Sequence, residues 1–80
     1  MTVTVLLFAS YADALGRTKL ELEVESGATV QDVVARVRAL AGDGRLPPAP
    51  MVAVNERYAA RESVVRAGDE VALIPPVAGG

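Results

Sequence analysis

KLELEVESGATVQDVVARVRALAGDG, residues 19–44, changes its hydrophobic period part-way along. From Lys19 to Val24 the alternation is strict. Leu20, Leu22 and Val24 fall on one face, Lys19, Glu21 and Glu23 on the other. That predicts a half-exposed strand, and its row of charges suits a sheet edge. From Val30 onward the spacing becomes helical, placing Val30, Val33, Val34, Val37, Leu40 and Ala41 on one face and Gln31, Arg36 and Arg38 on the other. Thr29 stands where an N-cap belongs, and Asp32 follows three residues later in a capping-box position that also suits the helix dipole. Gly42 is placed to stop the helix. A GDG run at 42–44 with no Gly-Lys-Ser/Thr after it is a helix stop, not a phosphate loop.

Working outward, residues 2–9 (TVTVLLFA) begin as period-two alternation with β-branched residues. Val3, Val5 and Leu7 share one face; Thr2, Thr4, Leu6 and Phe8 share the other. The stretch is apolar and short, with ADA soon after it, but no positive charge precedes it, so it is a strand and not a secretion signal. SYADALG, residues 10–16, fits a short helical turn stopped by Gly16. On the other side, GDGRLPPAP (42–50) is a loop, because its prolines forbid regular structure. MVAVN (51–55) is a short strand with NER as its turn, and residues 58–70 are mostly connection. Gly68-Asp69 is a turn signal, and EVALI (70–74) is a last strand with Val71 and Leu73 on one face and Glu70, Ala72 and Ile74 on the other. Pro75 and Pro76 end it, since neither can donate to a ladder. The order is β–β–α–β–β around one main helix, and the first two strands are expected to pair. A helix crossing between strands leaves one pair parallel with a right-handed connection. This is an α+β, β-grasp (ubiquitin-like) arrangement: a mixed sheet folded over one helix.

Eighty residues allow one domain. Hydrophobic residues make up 51% of the chain, mostly Val, Ala and Leu, so a small core is affordable. With two Tyr, one Phe, no Trp and a net charge of −2, the chain offers neither a base-stacking surface nor a phosphate-binding stripe, so nucleic acid is not an expected partner. No stretch approaches the length of a membrane span, and the expected place is the cytoplasm. The absence of cysteine removes disulfides, thiolate metal sites and a cysteine nucleophile. The absence of histidine removes the usual general base and metal ligand. No metal site is expected, and any chemistry this chain joins is carried by groups on its partners.

The strand phases carry a second consequence. If Val3, Val5, Leu7, Val71 and Leu73 face the helix, then Leu6, Phe8 and Ile74 lie on the outer face, where a solvated sheet carries polar groups. If the first and last strands are neighbours, these residues form an apolar patch beside the segment that follows, which fits a partner surface bordered by Tyr58. Glu21, Glu23 and Glu25 read as a solvated edge. Asp69 and Glu70 either cap a turn or steer a partner, and Arg57, Arg61 and Arg66 are either solvated or face a partner's acids. After Pro75 and Pro76 come Val77, Ala78, Gly79 and Gly80, with nothing beyond Val77 able to bury a useful side chain. Residues 1–76 are therefore expected to be the folded domain and 77–80 a threadable tail.

GDEVALIPPVAGG (68–80) resembles the closing signature of the molybdopterin synthase small-subunit family. VTVLLFASYADALG (3–16) resembles that family's opening strand and next segment, and VAVNERY (52–58) its middle strand and turn. The resemblance runs nearly the whole length. It implies a sulfur carrier that is a non-catalytic donor subunit within a heterotetrameric synthase. The Gly80 carboxylate would be adenylated at the expense of ATP by an adenylyltransferase resembling ubiquitin-activating enzymes, then converted to a thiocarboxylate. Val77, Ala78 and Gly79 would enter the large subunit of the synthase, and Leu6, Phe8, Tyr58, Ile74, Pro75 and Pro76 would form its docking surface. Sulfur would pass to cyclic pyranopterin monophosphate in molybdenum cofactor biosynthesis. The carrier itself would bind no cofactor. The rival readings are a thiazole-pathway (thiamine) sulfur carrier of the same fold and a ubiquitin-like modifier joined to lysines through Gly80.

Overall fold

The computed structural model describes residues 1–42 and 50–75. The elements are β1 (Thr2–Leu7), α1 (Ser10–Leu15), β2 (Lys19–Glu23), α2 (Val30–Ala41), β3 (Met51–Val54), β4 (Arg57–Tyr58) and β5 (Glu70–Ile74). They form one sheet in the order β2-β1-β5-β3-β4. β1 pairs antiparallel with β2 and parallel with β5, so the first and last strands are neighbours at the centre. The sheet and α2 make the expected β-grasp. Two short elements extend the sequence reading: α1 is a full turn and a half closed by Gly16 in the left-handed conformation, and β4 adds a two-residue edge.

The buried stripe of α2 is Val30, Val33 and Val37, packed on Val3, Val5, Leu7, Leu20, Leu22, Val71 and Leu73 from the inner sheet face. Burying each such side chain contributes roughly 1.5–3 kcal/mol relative to exposure. Leu40, assigned above to this stripe, is instead 58% exposed. It lies three residues past Val37, about 60° round the helix and in the last turn, where the axis has carried it off the packed line. Tyr11, on α1, is fully buried. The sequence reading gave it no core role, because one aromatic in a small polar stretch has no periodicity to announce it. Burial raises the Tyr11 pKa above its ordinary value, while the Arg38 guanidinium hydrogen bonded to the phenol acts the other way.

The start of α2 is fully satisfied. Thr29 Oγ1 accepts from the Asp32 amide at 3.3 Å, and the Asp32 carboxylate accepts from the Thr29 amide at 2.9 Å, completing the capping box. The next exposed donors go to the connection after β4: the Val30 amide donates to the Ser63 carbonyl at 2.9 Å and the Gln31 amide to the Arg61 carbonyl at 3.0 Å. A segment read as mere linkage therefore supplies acceptors that a helix N-terminus lacks within itself.

Candidate functional site

The register of the sheet assembles the outer face. One row of partners runs Lys19–Leu6–Ala72–Ala53–Tyr58 across all five strands. The next row toward the end of β5 holds Ile74 opposite Met51. Phe8 comes one residue after the Leu7–Leu73 pair, beside the end of β5. Leu6 and Ile74 are half-buried, while Phe8 is 46% exposed, Met51 42% and Tyr58 75%. The rows in the other direction are polar. Thr4 lies between Glu21 and Glu70, with its hydroxyl donating to the Glu21 carboxylate at 2.7 Å, and the Thr2 hydroxyl donates to Glu23. That bond and the nearby N-terminal ammonium hold the Glu23 pKa below the usual carboxylate range. The outer face is thus divided into an acidic half and an apolar half, and the chain leaves β5 from the apolar half.

Four of the expected surface residues, Leu6, Phe8, Tyr58 and Ile74, sit on or beside these two rows, and half-buried Pro75 follows directly. Pro76, Val77, Ala78, Gly79 and Gly80 lie outside the described residues. The rows also contain Met51, Ala53 and Ala72. The sequence pattern puts Ala72 on the outer face without a part in the patch and does not single out Met51 or Ala53. Their phase opposite Val52 and Val54 was visible, but a four-residue strand offers little alternation to weigh.

Backbone geometry at two points keeps this face in place. Ala9 has φ 49° and ψ −122°, a region in which side chains carry strain. The chain turns there from β1 into α1, with the Tyr11 amide donating to the Phe8 carbonyl at 3.0 Å. At the other end, Asn55 and Glu56 form the two-residue turn between β3 and β4, both at positive φ (51° and 72°), as the hairpin turn that matches strand twist requires.

Asn55 is also a latch. Its Nδ2 donates to Asp69 Oδ1 at 3.0 Å, its Oδ1 accepts from the Glu70 amide at 3.0 Å, and its own amide donates to the Glu70 carbonyl at 2.8 Å. The second Asp69 oxygen accepts from the Arg66 amide at 2.8 Å. Asp69 therefore caps the turn into β5. The Asn55 bond, chiefly, and the Arg66 amide lower its pKa from the ordinary aspartate value. Among the described residues no group of three or more Asp or Glu is placed to hold a metal, and no described helix is long and apolar enough to cross a membrane. The described residues thus place a partly exposed apolar face beside the end of β5 and Pro75.

The ThiS family model matches residues 5–80. The chain is 33% identical over 82 residues to the molybdopterin synthase sulfur carrier subunit of Arabidopsis thaliana, covering 98% of this chain and 82% of that one. It is 35% identical over 83 residues to small archaeal modifier protein 1 of Haloferax volcanii, covering 92% of this chain and 95% of that one. A crystal structure of the Haloferax volcanii protein SAMP1 superposes with a TM-score of 0.81 at 32% identity, each chain covered in full.

Proposed function

The chain belongs to the ThiS family, and we propose that within it this protein is the sulfur carrier subunit of molybdopterin synthase. The observation that carries the proposal is the divided outer face, whose apolar rows end where β5 hands over to Pro75 and the sequence Pro-Val-Ala-Gly-Gly. A relative named as such a carrier, 33% identical, supports it.

The chemistry follows from the carboxyl group. A terminal carboxylate, with a pKa of about 3.5, is ionised at neutral pH and is a poor electrophile. An ATP-using adenylyltransferase joins it to AMP with loss of pyrophosphate. A sulfur nucleophile then displaces AMP, leaving a thiocarboxylate on Gly80. The apolar rows around Leu6, Phe8, Ile74 and Met51 dock on the large subunit, and glycine at 79 and 80 lets the backbone pass close to partner atoms. The thiocarboxylate sulfur goes to cyclic pyranopterin monophosphate, and the carrier returns as the carboxylate. The cytoplasm, where ATP is at hand, is the fitting place for this cycle.

The test is intact mass of the protein recovered from cells together with single-turnover sulfur transfer. A fraction heavier by one oxygen-to-sulfur exchange is expected. Deleting Gly80 shortens the reach by roughly 3.5 Å, and a reacting group misplaced by ~1 Å loses on the order of 100-fold in rate. Full turnover in the deletion variant overturns the assignment of Gly80. A second reading, conjugation to lysines, is favoured by the 35% identity to an archaeal modifier protein. Recovery of Gly80–lysine isopeptides without any thiocarboxylate would replace the carrier reading with that one.

A further inference from the structure

β2 (Lys19–Glu23) ends the sheet, and among the described residues β1 is its one strand neighbour. Hydrogen bonds at its two ends fix which backbone groups that leaves open. The Leu7 amide donates to the Thr18 carbonyl at 2.9 Å and the Val24 amide to the Met1 carbonyl at 2.8 Å, while the N-terminal ammonium donates to the Val24 carbonyl at 2.8 Å. The even-numbered residues therefore turn their N–H and C=O groups toward β1. By strand alternation Lys19, Glu21 and Glu23 turn theirs away from the sheet. All three are exposed, and they carry positive, negative and negative charge in that order along the outer face. Such an edge is a template for another strand, and its charges decide which strand can use it.

We propose that β2 is a self-association edge: it pairs antiparallel with β2 of a second copy, in the register that sets Lys19 opposite Glu21 and Glu21 opposite Lys19. The outward backbone groups lie on odd-numbered residues, so odd must face odd and the possible registers differ by steps of two. The proposed register places both Lys19–Glu21 pairs on the outer face and brings Arg17 level with Glu23 at either end, so each charge meets its opposite. One step in one direction opposes Glu21 to its own copy, and one step in the other opposes Lys19 to its own copy. Opposite charges directly across a strand pair stabilise it and like charges destabilise it, so the order of charges selects the register. Each Lys19–Glu21 pair exchanges both of its N–H···O bonds. On the inner face Leu20 falls on the two-fold axis and meets Leu20 of the second copy in the closer, non-hydrogen-bonded kind of pair. The Thr4 hydroxyl donates to the Glu21 carboxylate at 2.7 Å and holds it against the sheet, and a carboxylate keeps acceptor capacity for an ammonium. The strand that fits this edge is one with the same charges run in the opposite direction, and the chain carries that strand itself. The inference goes beyond the carrier reading and does not depend on it. The two-fold axis stands perpendicular to the sheet, so both outer faces point the same way and the rows around Phe8 and Ile74 stay open.

The test is sedimentation equilibrium and amide spectra of the full 15N-labelled chain, run as a concentration series at low salt. For so small an interface a monomer–dimer equilibrium with Kd of roughly 0.1–1 mM is expected, weakening as salt rises. The concentration-dependent shifts should centre on Lys19, Leu20 and Glu21. Lys19→Glu and Glu21→Lys each turn both pairs into like charges and should weaken the dimer roughly tenfold or more. Mixed together, the two single variants oppose Glu to Lys in both pairs and should associate about as well as the original chain. The double exchange Lys19→Glu/Glu21→Lys keeps the net charge and restores both pairs, so it should recover the dimer. Amide spectra of each variant establish that it is folded. A chain still monomeric at ~1 mM, shifts centred on Leu6 and Ile74 instead, an undiminished dimer in Lys19→Glu, or a double exchange that stays monomeric each overturn the proposal.

Discussion

Replacing Asn55 by alanine tests the latch between the β3–β4 turn and the start of β5. The substitution removes two side-chain hydrogen bonds, to Asp69 Oδ1 and from the Glu70 amide, both 3.0 Å. In this exposed setting each is worth about 1 kcal/mol, the typical net contribution of an intramolecular hydrogen bond. Alanine also tolerates φ of 51° less well than asparagine, adding about 0.5 kcal/mol. The expected loss is about 2.5 kcal/mol, or a Tm lower by roughly 10–20 °C for a domain of this size. Asn55→Gly separates the two contributions: it loses the bonds but keeps the conformation, and should fall less. The pH dependence gives an independent readout. Asp69 has a lowered pKa in the fold, so its contribution is present above its unfolded pKa and fades as pH drops through the folded value. Wild type should therefore lose stability on acidification from about pH 5 downward. Asn55→Ala, lacking the main cause of the shift, should lose less over the same window. Urea unfolding followed by circular dichroism at a series of pH values measures both. Equal stability at neutral pH, or parallel pH slopes for the two proteins, refutes the latch.

The strained turn residues predict gains. Glu56→Gly, at φ 72°, and Ala9→Gly, at φ 49° and ψ −122°, should each raise stability by about 0.5–1 kcal/mol in thermal unfolding, strain relief outweighing the added chain entropy. Thr29→Ala removes one half of the capping box and should cost about 1 kcal/mol, with Thr29→Ser restoring most of it. Phe8→Arg places a charge on a 46% exposed position of the apolar rows. It should weaken binding to the large subunit by roughly 2 kcal/mol or more in calorimetry while leaving Tm within a few degrees; normal binding removes Phe8 from the docking face.

The residues that made the fold legible were those whose pattern is local. The switch from Leu20-Leu22-Val24 to Val30-Val33-Val37 marks an edge strand followed by a packed helix, and both appear where the periods place them. The phase of β1 and β5 likewise put Leu6 and Ile74 on the outer face, which the parallel register turns into neighbouring rows. What escaped was non-local or too short. Tyr11 lies on an element of only six residues, Met51 belongs to a strand of four, and the acceptors for Val30 and Gln31 come from 33 and 30 residues further along the chain. Leu40 shows the opposite failure: its spacing was helical, but spacing does not say where the sheet beneath the helix ends.

Asn55, Gly68, Asp69 and Glu70 fall within VAVNERY (52–58) and GDEVALIPPVAGG (68–80), two of the stretches that resemble the family, and they act together in the fold. Gly68 holds φ of 82° and donates its amide to the Thr2 carbonyl at 2.9 Å; the Asp69 carbonyl accepts from the Thr4 amide at 2.9 Å; Asn55 ties Asp69 and Glu70 to β3. These contacts fix β5 between β1 and β3, and with it the point where the chain leaves the sheet beside Ile74 and Met51. These residues thus hold β5, and the Pro75 that follows it, in place. On the proposed function and on its modifier alternative alike, the chain presents a terminal carboxyl group to an activating enzyme, so both readings draw equally on that placement. The difference between them lies in what attacks the activated Gly80, a sulfur nucleophile or a lysine amine. That choice belongs to the partner that receives the tail, so the residues to vary in separating the two readings are on the docking rows around Phe8, Met51 and Ile74.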